Sequence, residues 1–169
     1  MTIVSQLKAS IVTIAAALVL SGSASAQGVL TVKDVSLGLA QAIAAGAIEQ
    51  CRKDGFRVTV TVLNRAGQIV AVLRDDGTSP HTLDTSRRKA YTALVVRAST
   101  TDLALLIAAT PALAAFKDVT DVITLGGGLP IRVGNEVIGS VGVSGAPPPG
   151  EKDEACAKAG IDKVADQLK

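Results

Sequence analysis

Apolar residues recur at every third or fourth position near the start of the folded region. Val32, Val35, Leu39, Ile43, Ala47 and Cys51 make one stripe, the pattern of a helix with a single core-facing side. Thr31 followed by Asp34 supplies a helix-start signal, and Lys53-Asp54-Gly55 ends the helix. The period then falls to two. From Arg57 to Leu63, Val58, Val60 and Val62 alternate with Thr59 and Thr61, and a β-branched run from Gln68 to Leu73 follows the turn at Asn64–Gly67. This pair predicts a β-hairpin. After the loop Asp75–Pro80, helical spacing returns from His81 or Thr82 to about Arg97, with Leu83, Ala90, Leu94 and Val95 apolar. Ser99 with Asp102 caps a short helix over Leu103–Ala109, and Pro111 stops it. Val122–Leu125, Leu129–Val133 and Val137–Val143 read as three further strands. Gly134-Asn135 joins the last two, since both positions tolerate the positive φ of a two-residue turn. A stiff Pro147-Pro148-Pro149-Gly150 linker leads to a closing helix from Glu151 to Leu168, with Cys156, Ile161, Val164 and Leu168 on one side.

Helix, two strands, two or three helices, three strands, helix is the order of an α+β domain with an antiparallel sheet. The first 26 residues stand apart from it. Lys8, the apolar stretch Ile11–Leu20 and the small residues Ala24-Ser25-Ala26 have the layout of a secretory signal peptide cleaved after Ala26. The stretch is too short to span a bilayer as a mature helix. Residues 27–169 then form a single domain of a periplasmic or extracellular protein, with no further long apolar run that would hold it in a membrane. Charge adds little, because 17 Lys and Arg face 15 Asp and Glu for a net +2. With so small an excess, and only Phe56, Tyr91 and Phe116 as aromatics, nucleic acid is excluded as a partner.

Glycines concentrate in residues 126–146, which read GGGLPIRVGNEVIGSVGVSGA. Gly139, Gly142 and Gly145 leave one strand open to close approach by backbone or ligand. With Asn64-Arg65-Ala66-Gly67, Arg74-Asp75-Asp76-Gly77, Arg88-Lys89-Ala90-Tyr91-Thr92-Ala93 and Asp153-Glu154-Ala155-Cys156-Ala157-Lys158-Ala159-Gly160, the chain resembles the GlcG/HbpS family, which also supplies the C-terminal domain of PduO-type proteins. The resemblance covers residues 30–168. It implies a five-stranded antiparallel sheet flanked by helices in a profilin-like arrangement, assembly into tetramers or octamers, and haem as the ligand, as in several members.

Few side chains carry chemistry. His81 is the only histidine, at the start of a helix where side chains often face a cleft; it either suits iron ligation or acid–base work or is a solvent-exposed loop residue without a role. Haem iron is usually held by His, Cys, Met or Tyr. Met1 leaves with the signal peptide, so His81, Cys51, Cys156 and Tyr91 remain, with a threonine hydroxyl as a weak fallback. Among these His81 is the strongest ligand. The scarcity of aromatics implies a shallow haem site or one shared between subunits. Arg87, Arg88 and Lys89, with Arg97 on the same helix, either form a solvated face with an Asp84–Arg88 pair or grip a carboxylate such as a haem propionate. Gly126-Gly127-Gly128 offers backbone N–H groups to an anion, or shapes a turn that lets backbones approach. It lacks the Lys-Ser/Thr of a P-loop and precedes a strand. Cys51 and Cys156, an even count in an exported chain, form a disulfide if the first and last helices pack side by side; the alternative is two buried thiols. Catalytic signatures are absent from the sequence: Ser144 is not in a Gly-x-Ser-x-Gly elbow, and no His/Cys/Asp/Glu spacing fits zinc. Two other readings stand beside haem binding. One is an enzyme or accessory factor for a small organic acid, with His81 as general base and Arg88 or Lys89 as carboxylate clamp. The other is a structural oligomeric module.

Overall fold

The Val–Thr alternation of the first strand gives the two faces of one sheet different chemistries. The structure, a computed structural model, describes residues 28–169 apart from Pro149; the expected signal peptide lies outside the described residues. Strand β1 (Thr59–Asn64) forms a hairpin with β2 (Ile69–Arg74), and β3 (Gly128–Val133) with β4 (Glu136–Ser144). The sheet is antiparallel in the order β2-β1-β4-β3. Val60 opposes Val143 and Val62 opposes Val141. These valines, with Val58 and Ile131, are fully buried beneath α1 (Leu37–Lys53) and α4 (Glu151–Asp162). Thr59, Thr61, Ser140, Gly142 and Ser144 share the other face, which is covered by α2 (Thr82–Val96).

That second face is small and polar, so α2 lies almost on the strands. Hydroxyl pairs fasten it: Thr59 Oγ1 to Thr82 Oγ1 at 2.7 Å, Thr61 Oγ1 to Ser86 Oγ at 2.8 Å, and Thr85 Oγ1 to Ser144 Oγ at 2.6 Å. The first two pairs are buried, and each satisfies groups that would otherwise be left without water. A Cβ at Gly142 would collide with the Ser86 carbonyl oxygen, so the glycine strand admits the helix backbone itself. After α2 come α3 (Thr100–Ala109), capped by the Ser99 hydroxyl, and a 3-10 helix, Pro111–Asp118. Among the described residues no single helix is long and apolar enough to cross a membrane.

Cys51, at the end of α1, and Cys156, in α4, are joined by a disulfide with a Cα–Cα distance of 5.5 Å. Both are fully buried.

Three expectations need correction. The sheet has four strands instead of five, because Val122–Leu125 pairs with no strand. Its backbone is satisfied by α2: Arg88 donates to the Val122 carbonyl at 2.6 Å, and the Ile123 amide donates to Thr92 Oγ1 at 2.9 Å. The first helix starts at Leu37 with Ser36 as its cap, later than the Thr31–Asp34 signal. Asp34 instead accepts the Val35 and Arg65 amides, both at 2.8 Å, which ties the segment before the helix to the β1–β2 turn. The last helix ends at Asp162, where a turn seats Val164 in the core before a short 3-10 segment, Ala165–Gln167.

Candidate functional site

The loop before α2 is braced by one carboxylate. Asp75 receives the Arg52 guanidinium through two bonds, 2.7 and 3.0 Å, and the Asp76 amide at 2.9 Å. Arg52 holds the Asp75 carboxyl below its ordinary value, against the opposing effect of burial. The Asp75 carbonyl accepts the Thr78 hydroxyl at 2.7 Å, and the chain then enters α2. His81 stands at the entry, exposed, with helical backbone and no side-chain capping bond.

His81 opens onto a cleft of about 590 Å³, within the size range of small-molecule sites. Phe56, Leu125 and Pro147 give it apolar walls; Arg57, His81 and Thr85 give it a polar rim. Lys89 and Asp153 line its floor. Lys89 Nζ donates to Asp153 Oδ2 at 2.6 Å and to the Val143 carbonyl at 3.0 Å, and Asp153 Oδ1 accepts the Ala146 amide at 2.9 Å. Both side chains are 2% exposed. Burial raises the Asp153 carboxyl above its ordinary value, outweighing the attraction of Lys89. Gly127, at φ +119, passes so close that a Cβ there would stand 2.7 Å from Asp153 Cβ and 3.0 Å from Lys89 Nζ.

The residues singled out from sequence fall into three places. His81 and Lys89 share the cleft, two helical turns apart on one face of α2. Gly126, Gly127 and Gly128 lie behind it, outside its lining. The Gly128 amide is spent on Thr100 Oγ1 at 2.9 Å and the Gly127 carbonyl on the Val143 amide at 2.9 Å, so here the triplet packs backbone against backbone. Arg87, Arg88 and Tyr91 face elsewhere. Arg87 bridges Asp84 at 3.0 Å and Asp121 at 2.7 Å, Arg88 holds the Val122 carbonyl, and the Tyr91 ring lies 3.8 Å from where a Gly67 Cβ would stand, beside the β1–β2 turn. Arg57, Thr85, Ser144 and Asp153 also line the cleft, beyond the residues that the sequence marks for binding. The spacing of His81, Thr85 and Lys89 was one available signal, since steps of four share a helix face. Arg57 and Asp153 come from distant elements and carried no such local signal.

Among the described residues, no three His, Cys, Asp or Glu side chains converge as a metal site would need. The His81 imidazole is the group of the cleft suited to an iron that arrives with its own macrocycle.

Comparison with known proteins gives a consistent result. A family model described as "Haem degrading protein HbpS-like" matches residues 35–162. Protein GlcG of Escherichia coli K12 is 32% identical over 110 residues, covering 65% of this chain and 81% of GlcG. The crystal structure of a double mutant of Streptomyces reticuli HbpS is 34% identical with a TM-score of 0.75, covering 83% of this chain and 93% of that one. The PduOC:haem complex, 22% identical, shares the fold at a TM-score of 0.71 over 79% of this chain and 96% of its own. With the matched segment running from the first buried residue of the fold to the end of α4, this chain belongs to the HbpS-like family.

Proposed function

We propose that this chain is an exported haem-binding protein whose cleft beside the first turn of α2 takes the macrocycle, with His81 as the iron ligand. One observation carries the reading: the only histidine is exposed on the rim of the cleft, and its imidazole makes no hydrogen bond or ion pair among the described residues. The donor set fits the group. Phe56, Leu125 and Pro147 suit an apolar ring, a neutral imidazole suits the iron, and the Arg57 guanidinium at the rim suits a propionate. The HbpS-like family description, which names haem, supports the same ligand. Bound haem would supply iron-centred chemistry, and the chain's part in that is to hold the group.

Export belongs to the same reading. The Ile11–Leu20 and Ala24-Ser25-Ala26 pattern supports it, as does a buried disulfide, which persists in oxidising compartments. Assembly into a homo-oligomer, with haem as the small-molecule partner, completes it.

Titration of the purified chain with haemin tests the proposal. Binding with a shifted Soret band is expected, weakened at least about tenfold and spectrally altered in His81→Ala, and unchanged in its iron signature in Tyr91→Phe. No binding by the unaltered chain, or an identical spectrum and affinity in His81→Ala, overturns it.

A further inference from the structure

The floor of the cleft holds an amine that haem ligation through His81 does not use. Lys89 reaches from α2 past the end of β4 to α4, and its side chain is 2% exposed. Burying an ion pair is costly, and as pure scaffolding such a pair is often no better than apolar packing. Two of the three ammonium protons are held, by Asp153 and the Val143 carbonyl. The third has no acceptor among the described residues. Asp153 is fixed in turn by the Ala146 amide, so the carboxylate stays in place when the amine moves. Both groups line the cleft, which is their route to solvent. The Thr85 and Ser144 hydroxyls, 2.6 Å apart, line the same cleft and form a pair able to pass a proton. Arg57 stands on the rim, exposed, with one Nη1 bond to the Asp76 carbonyl at 3.0 Å and other N–H groups to spare.

We propose that Lys89 is a nucleophile that forms an imine with a small 2-oxo acid in this cleft. Asp153 first takes one proton from Nζ. The freed lone pair attacks the ketone carbon, forming the C–N bond while the carbonyl π pair moves to oxygen. A proton passes from nitrogen to that oxygen through the Thr85–Ser144 hydroxyls, giving a neutral carbinolamine. Asp153 returns its proton to the departing hydroxyl, water leaves and the nitrogen lone pair closes the C=N⁺ bond. Ammonium and ketone thus become iminium and water, with no oxidant or reductant. The raised Asp153 carboxyl suits it to hold the proton between the two steps. The Arg57 guanidinium, on the lining of the same cleft, takes the substrate carboxylate.

The test is reductive trapping on the whole haem-free chain. It is incubated at neutral pH with pyruvate and cyanoborohydride, digested, and each lysine is followed by mass spectrometry. The Lys89 adduct should form at least about tenfold faster than adducts at the exposed Lys117 and Lys152. Asp153→Asn should lower the Lys89 rate. Because that variant can also disturb folding, Arg57→Ala, at an exposed position, is the second test: it should slow trapping of pyruvate while leaving trapping of acetone unchanged. If Lys89 in the unaltered chain reacts no faster than the exposed lysines, the pair is a structural cross-link and the proposal fails. The trapping reads Lys89 without haem, so its failure leaves the His81 titration untouched, and the reverse.

Discussion

Asp75 shows how much one buried carboxylate organises. Its oxygens bind Arg52 and the Asp76 amide, and its carbonyl fixes Thr78, so the loop that delivers His81 hangs from it. Arg52 lowers the folded-state value of this carboxyl below the ordinary 3.8. The stabilisation is therefore fully present above 3.8 and is lost as pH falls through the lower folded value. Asp153 has the opposite sign. Its value is raised, so its contribution is present below the ordinary value and lost as pH rises through the raised one. Asp75→Asn isolates the first effect. Arg52 is 62% exposed, so solvent screens much of its attraction for the carboxylate. The variant should melt at a lower temperature than the parent at pH 7, and the gap should narrow as pH falls below 3.8. A gap that stays constant into acid would show that the charge is not what Asp75 contributes.

Elements with a strong period could be read from the chain, and elements defined by what they pack against could not. The Val–Thr alternation of β1 and the Gly134-Asn135 turn sit where the pattern put them, because both signals are local. Val122–Leu125 has strand composition yet bonds to Arg88 and Thr92, and only the arrival of α2 decides that. The cleft divides the same way: His81 and Lys89 share a helix face and could be found together, whereas Arg57 and Asp153 reach it through the fold. The disulfide between α1 and α4 belongs with the legible part, since two cysteines on helices at opposite ends of the chain leave one pairing. It closes a separation of 105 residues, worth about 4–5 kcal/mol in the chain-entropy model. Replacing both cysteines by alanine should lower the denaturant midpoint by an amount of that order while keeping the helix content under native conditions. An unchanged midpoint would mean that packing of α1 on α4 already supplies all the restraint.

At the scale of the whole molecule, one region is out of balance with the rest. α3 and the following 3-10 helix bury only Thr100 and Leu103, though their sequence is dominated by alanine and leucine. Leu105 is 66% exposed and Leu106 52%, with Leu113 and Val119 also exposed nearby. Exposed apolar side chains gathered on one arm mark an interface on soluble proteins, and the homo-oligomer proposed above supplies the occupant, further copies of the same chain. The oligomer we propose, a tetramer or an octamer, should therefore close through this arm. Closed symmetry would use the same patch on each subunit or pair it with one other surface. Sedimentation should give a multiple of the subunit mass for the mature chain. Leu105→Glu combined with Leu106→Glu places charges in that contact without touching a buried position, so it should yield a monomer with unchanged helix content and an intact Cys51–Cys156 bond. A parent chain that sediments as a monomer, or a double variant that still assembles, would rule this arm out as the interface.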